Sequence, residues 1–394
     1  MQILHTSDWH IGRNFHGYAT LDAVRIVLSR IPEIVREMKV DVVLVAGDVY
    51  DLTNPSADAV SVLQDTLVAI LDAGARVVLT SGNHDSAVRL GFAGPFTRAI
   101  GLHLVTNSAD IGSPIEIVDE HGPVDFYGIP YLQPELVRHL PWAPSEARSQ
   151  HEVIDAAMGL VRDAVTVRKS DRRRSVVVAH TFVAGAESES SDSERAITRN
   201  PLAAGGVDAV PVNIFDGVDY VALGHIHGRA QLAENVRYSG AVLHYSFKEA
   251  NKPRGGWLID LGGDGVDQIE WIDFPVPRQL KEIRGAFGDL LTDPQWEQFT
   301  DHYIRAVYTD KNKEIEPMQR IRARFPYCAD VLHEPSESAT DSASTYAERV
   351  KGKTDPQVAE SFLIDVRNGD GPSKTEQKIL DEVIAERAAE VLQK

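Results

Sequence analysis

The stretch DVVLVAGDVYD, residues 41–51, decides the architecture of this chain. Val42 to Ala46 are apolar without alternation, which is the pattern of a strand buried on both faces, as strands of parallel sheets are. Gly47 ends the run, and Asp48 then stands just past the strand's carboxyl end. MQILHTSDWH (1–10) and RVVLTSGNHD (76–85) repeat the plan: an apolar run, a small residue, then acidic, amide and imidazole side chains. Residues 20–38 and 56–73, which lie between these runs, carry apolar side chains at spacings of three and four, and Ser56 is placed to cap the second helix. Strands alternating with helices in this order predict an α/β fold with a largely parallel sheet covered by helices.

Further strands are expected at VDFYGIP (124–130), SVVVAH (175–180) and DYVALGH (219–225). VRYSGA (236–241), GGWLIDL (255–261) and QIEWIDF (268–274) follow and alternate more like antiparallel strands. The first domain is expected to span 1–274. PVPRQ then marks a connection into a small α/β unit, 275–335, with a strand-helix-strand-helix-strand order and YIRAVYTD as its clearest strand. A Ser/Thr/Asp/Glu-rich linker, 336–353, separates this from a helical segment, 354–394, in which Leu380, Val383, Ile384 and Val391 share one helical face.

Composition narrows the function classes. With 394 residues, 43% hydrophobic and 25% charged, the chain can bury a sizeable core in two or three domains. Its single cysteine, Cys328, cannot form an internal disulfide, which suits a cytoplasmic setting. No signal-peptide pattern and no apolar run of membrane-spanning length stands in the sequence, so it reads as neither exported nor membrane-spanning. The net charge of −18 opposes general attraction to nucleic acid, leaving room only for a local basic surface.

Five segments carry the chemistry: Asp8 and His10 in SDWH, Asp48 in GDVYD, Asn83 and His84 in GNHD, His180 in VVAH, and His225 and His227 in GHIH. Each follows an expected strand. Loops past the carboxyl ends of strands in open α/β sheets share one edge, so residues far apart in sequence can converge there. Hard oxygen donors mixed with imidazole, without thiolate, fit a borderline divalent ion such as Mn²⁺, Fe²⁺ or Zn²⁺. Three Asp/Asn residues and four histidines exceed one ion's needs and suffice for two with a bridging carboxylate, an arrangement suited to displacement at phosphorus. The isolated histidines His103, His139, His302 and His333 read as core or surface residues.

With those residues in view, the sequence resembles the calcineurin-like metallophosphoesterases. More narrowly, ILHTSDWHIG, VAGDVYD, SGNHDS and VDYVALGHIH resemble the SbcD family, the nuclease subunits of bacterial SbcCD complexes. The resemblance implies a two-layered-sheet sandwich flanked by helices, a small α/β cap and C-terminal helices. It implies two Mn²⁺ ions, one held by Asp8, His10, Asp48 and His227, the other by Asp48, Asn83, His180 and His225. It implies that His84 faces the scissile phosphate, with Asp85 as its expected orienting partner. Some relatives carry a second histidine after the Gly-Asp motif, where this chain has Asp51. Bacterial relatives usually show Gly-Ser-Pro where this chain has Gly240, Ala241 and Val242.

The same resemblance implies an SbcC-type coiled-coil ATPase gripped by the tail helices. It also implies a homodimer within a heterotetramer and ATP-dependent exonuclease and hairpin endonuclease activity on DNA ends. Arg13, Arg89, Arg229, Lys248, Lys252 and Arg254 follow the motifs and are expected to ring the site and meet DNA, whereas Arg172 to Arg174 precede a strand and lie at the far edge. A phosphatase or cyclic-nucleotide phosphodiesterase would use the same metals but needs no cap and no tail. A scaffold that had lost catalysis would lack part of the ligand set, which is complete here.

Overall fold

The computed structural model describes residues 1–168, 173–186, 209–335, 352–367 and 371–391. Most of the expected linker, 336–351, and Arg172 lie outside these residues. The chain divides into two compact units, Met1–Gln279 and Leu280–Lys394.

The first unit is a sandwich of two six-stranded sheets. Its strands are β1 (Gln2–Thr6), β2 (Val42–Ala46), β3 (Arg76–Thr80), β4 (Leu102–Val105), β5 (Ile115–Asp119), β6 (Gly122–Ile129), β7 (Arg174–His180), β8 (Tyr220–Gly224), β9 (Ala230–Gln231), β10 (Val236–Tyr238), β11 (Gly255–Leu261) and β12 (Val266–Asp273). One sheet runs β12-β11-β1-β2-β3-β4, the other β9-β10-β8-β7-β6-β5. In the first, β1 to β4 are parallel and β11 and β12 close one side antiparallel. In the second, β6, β7, β8 and β10 are parallel.

The unbroken apolar runs are explained by what covers each face. Val42, Leu44 and Ala46 point between the sheets, where they meet Phe126, Val176, Val178 and Ala222. Val43 and Val45 point the other way, onto helices α1 (Leu21–Met38) and α2 (Ala57–Asp72). Helix α3 (Gln150–Arg168) covers the outer face of the second sheet with Val153, Ile154, Ala157, Met158 and Val161. At about 1.5–3 kcal/mol for each fully buried aliphatic side chain, both faces of β2 contribute, and an alternating sequence could not do this. The Ser56 hydroxyl accepts the Ala59 N–H at 3.2 Å and starts α2. Among the described residues no helix is long and apolar enough to cross a membrane.

The second unit holds a parallel three-stranded sheet of β13 (Leu280–Gly285), β14 (Tyr303–Tyr308) and β15 (Cys328–His333). Helices Phe287–Thr292 and Pro317–Arg324 pack on it through Phe287, Leu290 and Ile321. Helices Asp355–Val366 and Lys374–Val391 belong to the same unit.

Candidate metal centre

Strands β1, β2, β3, β7 and β8 end at one edge of the sandwich, and the residues just past them are held in unusual backbone. Asp8 (φ 51), His10 (φ 44), Asp48 (φ 48) and His225 (φ 111) all sit in the left-handed half of φ space, which L-residues other than glycine seldom adopt. Such backbone persists only where the surroundings enforce it, and it gathers at functional sites. Here the β1 and β2 loops enforce it on each other. Asp8 N–H donates to the Gly47 carbonyl at 3.1 Å, and His10 N–H donates to the Asp48 carbonyl at 2.9 Å. The turn of His225 aims its N–H at both Asp8 carboxylate oxygens, 3.0 and 3.2 Å away.

Two glycines make room for this. A Cβ on Gly47, at φ +77, would stand 2.2 Å from His180 Nδ1, and one on Gly82 would stand 2.1 Å from Asp48 Oδ1. Any side chain at either position would collide with a candidate ligand.

The seven expected ligands converge. His10 Nε2 and His227 Nε2 are 3.0 Å apart, and Asn83 Oδ1 lies 3.0 Å from both His180 Nε2 and His225 Nδ1. One oxygen, Asp48 Oδ2, is 3.4 Å from His180 Nε2 and 3.7 Å from His10 Nε2, so it faces both groups. Asp8, His10 and His227 form one set of close donor atoms, Asp8, Asp48 and His180 a second, and His10, Asp48 and His84 a third.

These contacts turn donor atoms toward points that a cation can occupy. His180 Nδ1 faces the Ala46 carbonyl at 2.9 Å and must carry the proton there, so in the neutral ring Nε2 turns a lone pair toward the Asn83 oxygen. Two lone pairs at that distance repel unless a positive charge lies between them, whether a proton on His180 Nε2 or a metal ion. Donor atoms bound at about 2.1 Å on adjacent corners of a coordination shell stand about 3 Å apart, which is the spacing found. His225 Nε2 is buried without a hydrogen-bond partner among the described residues. A pocket lined by imidazole, carboxylate and amide suits borderline divalent ions.

Without a metal ion, the charge in the cluster is held as a proton on His180. Burial, reinforced by neighbouring Asp48, pushes the Asp8 carboxyl up to about 7 against the pull of His180 and His227. Burial lowers His10 to about 3 and, with the His180 charge, His225 to about 3. Asp48 and His180 form the charged pair: despite burial, the imidazoles of His180, His10 and His84 hold Asp48 well below the carboxylate range. Asp48 in turn raises His180 to about 9 against its own burial.

His84 reaches the same edge. Its N–H donates to Asp48 Oδ1 at 2.9 Å, and its Nδ1 donates to the Asp51 carbonyl at 2.9 Å, leaving Nε2 for the site. The expectation that Asp85 orients His84 is therefore corrected. The Asp85 carboxylate accepts the backbone N–H groups of Val49 (3.1 Å), Tyr50 (2.9 Å) and Gly82 (2.8 Å), tying the two loops together, and the Asp51 carbonyl orients His84. The Asp51 carboxylate meets His10 Nδ1 at 3.3 Å and so fixes a candidate ligand's ring from behind.

The six basic residues divide. Arg13 is half-buried beside His10, with its guanidinium 4.5 Å above the Tyr245 ring. Arg89 and Lys248 are exposed and Lys252 is half-buried, with Arg89 bonded to Asn54. Arg229 is exposed, with its guanidinium over the Trp271 ring, 4.7 Å from the centroid. Arg254 contradicts its expected DNA role. It is 2% exposed, donates to the His227 and Ala241 carbonyls, and pairs with buried Glu249 at 2.5 Å, so its charge is spent inside the fold. Arg173 and Arg174 pair with Asp125 and Asp119.

Two residues outside the motifs also border the cluster: Tyr131, whose ring stacks beside His225 at 6.2 Å, and Tyr245, edge-on to His10 at 5.6 Å. Their signal was their place, Tyr131 just past β6 and Tyr245 just ahead of the Ser246-Phe247 pair.

The sequence model described as calcineurin-like phosphoesterase matches residues 1–229. Among solved structures, TT1561 of Thermus thermophilus is 12% identical over 69% of this chain and 98% of its own, at a TM-score of 0.40. A dimetal phosphatase from Danio rerio is 14% identical over 70% and 99%, at 0.38. GAP50, the anchor in the inner membrane complex of Plasmodium, is 11% identical over 85% and 98%, at 0.35. At these scores the three carry no weight on activity.

Proposed function

This chain belongs to the calcineurin-like phosphoesterase family, and from that premise we propose that it is the nuclease subunit of an SbcCD-type complex. Family membership makes it a metal-dependent phosphoesterase; DNA as its substrate is the further step. Its reaction is hydrolysis of a DNA phosphodiester at ends and hairpins, in repair, recombination and replication. Water's oxygen bonds to phosphorus, the ester P–O bond breaks, and the departing oxygen leaves as an alcohol once protonated.

Asp8, His10, Asp48 and His227 would hold one Mn²⁺, and Asp48, Asn83, His180 and His225 the other. When bound, the pair supplies a nucleophile at neutral pH and charge for the phosphate oxygens. The chain's own residues do the rest. Asp51 and Asp85 hold the loops that carry His10 and His84. His84 Nε2, with Nδ1 committed to the Asp51 carbonyl, is placed to stabilise the phosphate and pass a proton to the leaving oxygen.

The observation that carries the nuclease reading is the second unit. The family match ends at residue 229, yet the chain continues into a separate compact unit, Leu280–Lys394, which a phosphatase acting on small esters does not need. Its tail helices expose Phe362, Ile364, Val366, Ile379 and Val383, apolar side chains suited to the coiled coil of an SbcC-type ATPase. In the first unit Val60, Val68, Val88, Phe92, Phe96 and Ile100 are exposed on α2 and the segment after GNHD, and Val60, Val68 and Ile100 line one groove, apolar surface that supports a homodimer. Arg13, Arg89, Arg229, Lys248 and Lys252 remain as DNA contacts. The assembly would act in the cytoplasm at the nucleoid.

The test offers Mn²⁺-loaded protein end-labelled duplex, hairpin DNA and p-nitrophenyl phosphate esters, beside a His84→Ala control. Cleavage of DNA is expected. Turnover of the small esters alone would replace the nuclease with a phosphatase or cyclic-nucleotide phosphodiesterase. Removal of the chain from Thr354 onward should abolish capture of the ATPase, and unchanged capture would reject the role given to the tail.

A further inference from the structure

We propose that Arg13 grips the phosphate under attack, holding its non-bridging oxygens through the transition state. The proposal rests on the phosphoesterase reading of the site and does not depend on DNA being the substrate.

Arg13 is built in rather than left on the surface. Its N–H donates to the His10 carbonyl at 3.0 Å, and its own carbonyl accepts the Thr20 hydroxyl at 2.6 Å. Its guanidinium stacks 4.5 Å over the Tyr245 ring, and its side chain is only 19% exposed. This anchoring brings Nη1 to 3.5 Å from His10 Nε2, the same nitrogen that stands 3.0 Å from His227 Nε2. The guanidinium therefore lies against the cluster of candidate ligands itself.

Its charge has no full partner. The carboxylate that reaches it is Asp51, whose Oδ1 is 3.7 Å from Nη1, and that oxygen also serves His10 Nδ1 at 3.3 Å and His84 Nδ1 at 3.8 Å. None of the paired N–H contacts that arginine makes with a dedicated carboxylate is present, and Nε and Nη2 make no hydrogen bond among the described residues. With the His10 lone pair committed to a metal ion, Nη1–H loses that acceptor too. The single Asp51 oxygen, shared with two imidazoles, leaves most of the guanidinium's donors for a further anion, and a tetrahedral phosphate offers the oxygens that a planar fork of N–H donors matches.

Asp51 then has a definite task. Some relatives carry a second histidine after the Gly-Asp motif, whereas this chain has a carboxylate between Arg13, His10 and His84. Asp51 is a positioning residue that aims one cation and two imidazoles at a common point.

The experiment compares wild type with Arg13→Ala and Arg13→Lys, all loaded with Mn²⁺. It uses bis-p-nitrophenyl phosphate and duplex DNA as substrates and inorganic phosphate as competitive inhibitor, with bound Mn²⁺ counted by elemental analysis. Arg13→Ala should keep its Mn²⁺ and lose about 10²–10³-fold in kcat, as enzymes do on losing one oxyanion donor. Phosphate should inhibit it about tenfold more weakly, and added guanidinium should restore part of the rate. Arg13→Lys, which keeps charge without the fork, should fall in between and serves if the alanine variant folds poorly. A kcat within threefold of wild type in either folded variant, or unchanged inhibition by phosphate, would overturn the proposal. Ester turnover without DNA cleavage would sink the nuclease assignment while Arg13 was still judged on the ester.

Discussion

Gly47→Ala tests how tightly the strand-end backbone is tied to the metal centre. The new methyl would start 2.2 Å from His180 Nδ1, and ordinary contact begins near 3.4 Å, so the ring must retreat by about 1.2 Å. That exceeds the roughly 0.2 Å within which ligand distances must hold. It also breaks the 2.9 Å bond from Nδ1 to the Ala46 carbonyl that sets the ring's tautomer. Losing such a supporting bond typically costs 10–100-fold in metal affinity. An alanine at φ +77 adds about 1–2 kcal/mol of strain, and the lost hydrogen bond about 1 kcal/mol, so about 2–3 kcal/mol of stability should go. Calorimetric Mn²⁺ titration and urea unfolding measure both. Gly74→Ala is the control, since Gly74 also has positive φ (+106) but nothing within 4 Å of a Cβ; it should show the strain alone, with Mn²⁺ binding intact. If Gly47→Ala binds Mn²⁺ as wild type does, His180 is not held where the structure puts it.

Other consequences follow from the same contacts. Asp85→Ala leaves three buried N–H groups without their acceptor and should cost about 3 kcal/mol or more in urea unfolding. His84→Ala should stop turnover with a stability change within about 1 kcal/mol; an inactive Asp85→Ala of wild-type stability would restore Asp85 to the chemistry. Buried His5 is held down to about 3, chiefly by desolvation, whereas the unfolded imidazole takes a proton near 6.5. Its contribution is therefore complete above pH 6.5 and falls by about 1.4 kcal/mol per pH unit as pH drops toward 3. His5→Gln should flatten that part of the stability curve, and an unchanged slope between pH 6.5 and 5 would contradict the assignment. Removing metal with EDTA should lower stability by about 2.7 kcal/mol for each site held at a hundred times its Kd. Identical urea midpoints with and without Mn²⁺ would mean that no such site is filled.

Much of this fold is legible in the sequence because its strands are buried on both faces. Runs such as Val42–Ala46 and Val176–Ala179 leave little alternative to a covered parallel sheet, and Gly47 after the first marks where its loop must turn. Less visible was α3, although Ser149 and Glu152 cap it reciprocally, with Glu152 Oε2 accepting the Ser149 N–H at 3.1 Å and Ser149 Oγ accepting the Glu152 N–H at 3.2 Å. Edge strand β5 is half exposed, and its mixed pattern gives little signal. The candidate ligands could be found because each lies beside a strand end. What adjacency could not tell was direction. Asp85 follows His84 in the chain, yet its carboxylate turns back into the turn to collect backbone N–H groups while the imidazole faces outward. Arg254 looks in sequence like exposed Lys248, but it stands at the start of β11, where the His227 carbonyl and Glu249 draw it inward.

The central claim is that Asp8, His10, Asp48, Asn83, His180, His225 and His227 gather into one pocket for two metal ions joined by Asp48. Electron paramagnetic resonance of Mn²⁺-loaded protein, with the bound metal counted on the same sample, tests it most directly. Two Mn²⁺ per chain with the signature of an exchange-coupled pair, lost in Asp48→Asn, is the predicted result. A single uncoupled Mn²⁺, or a coupled pair that survives loss of the Asp48 carboxylate, would contradict it.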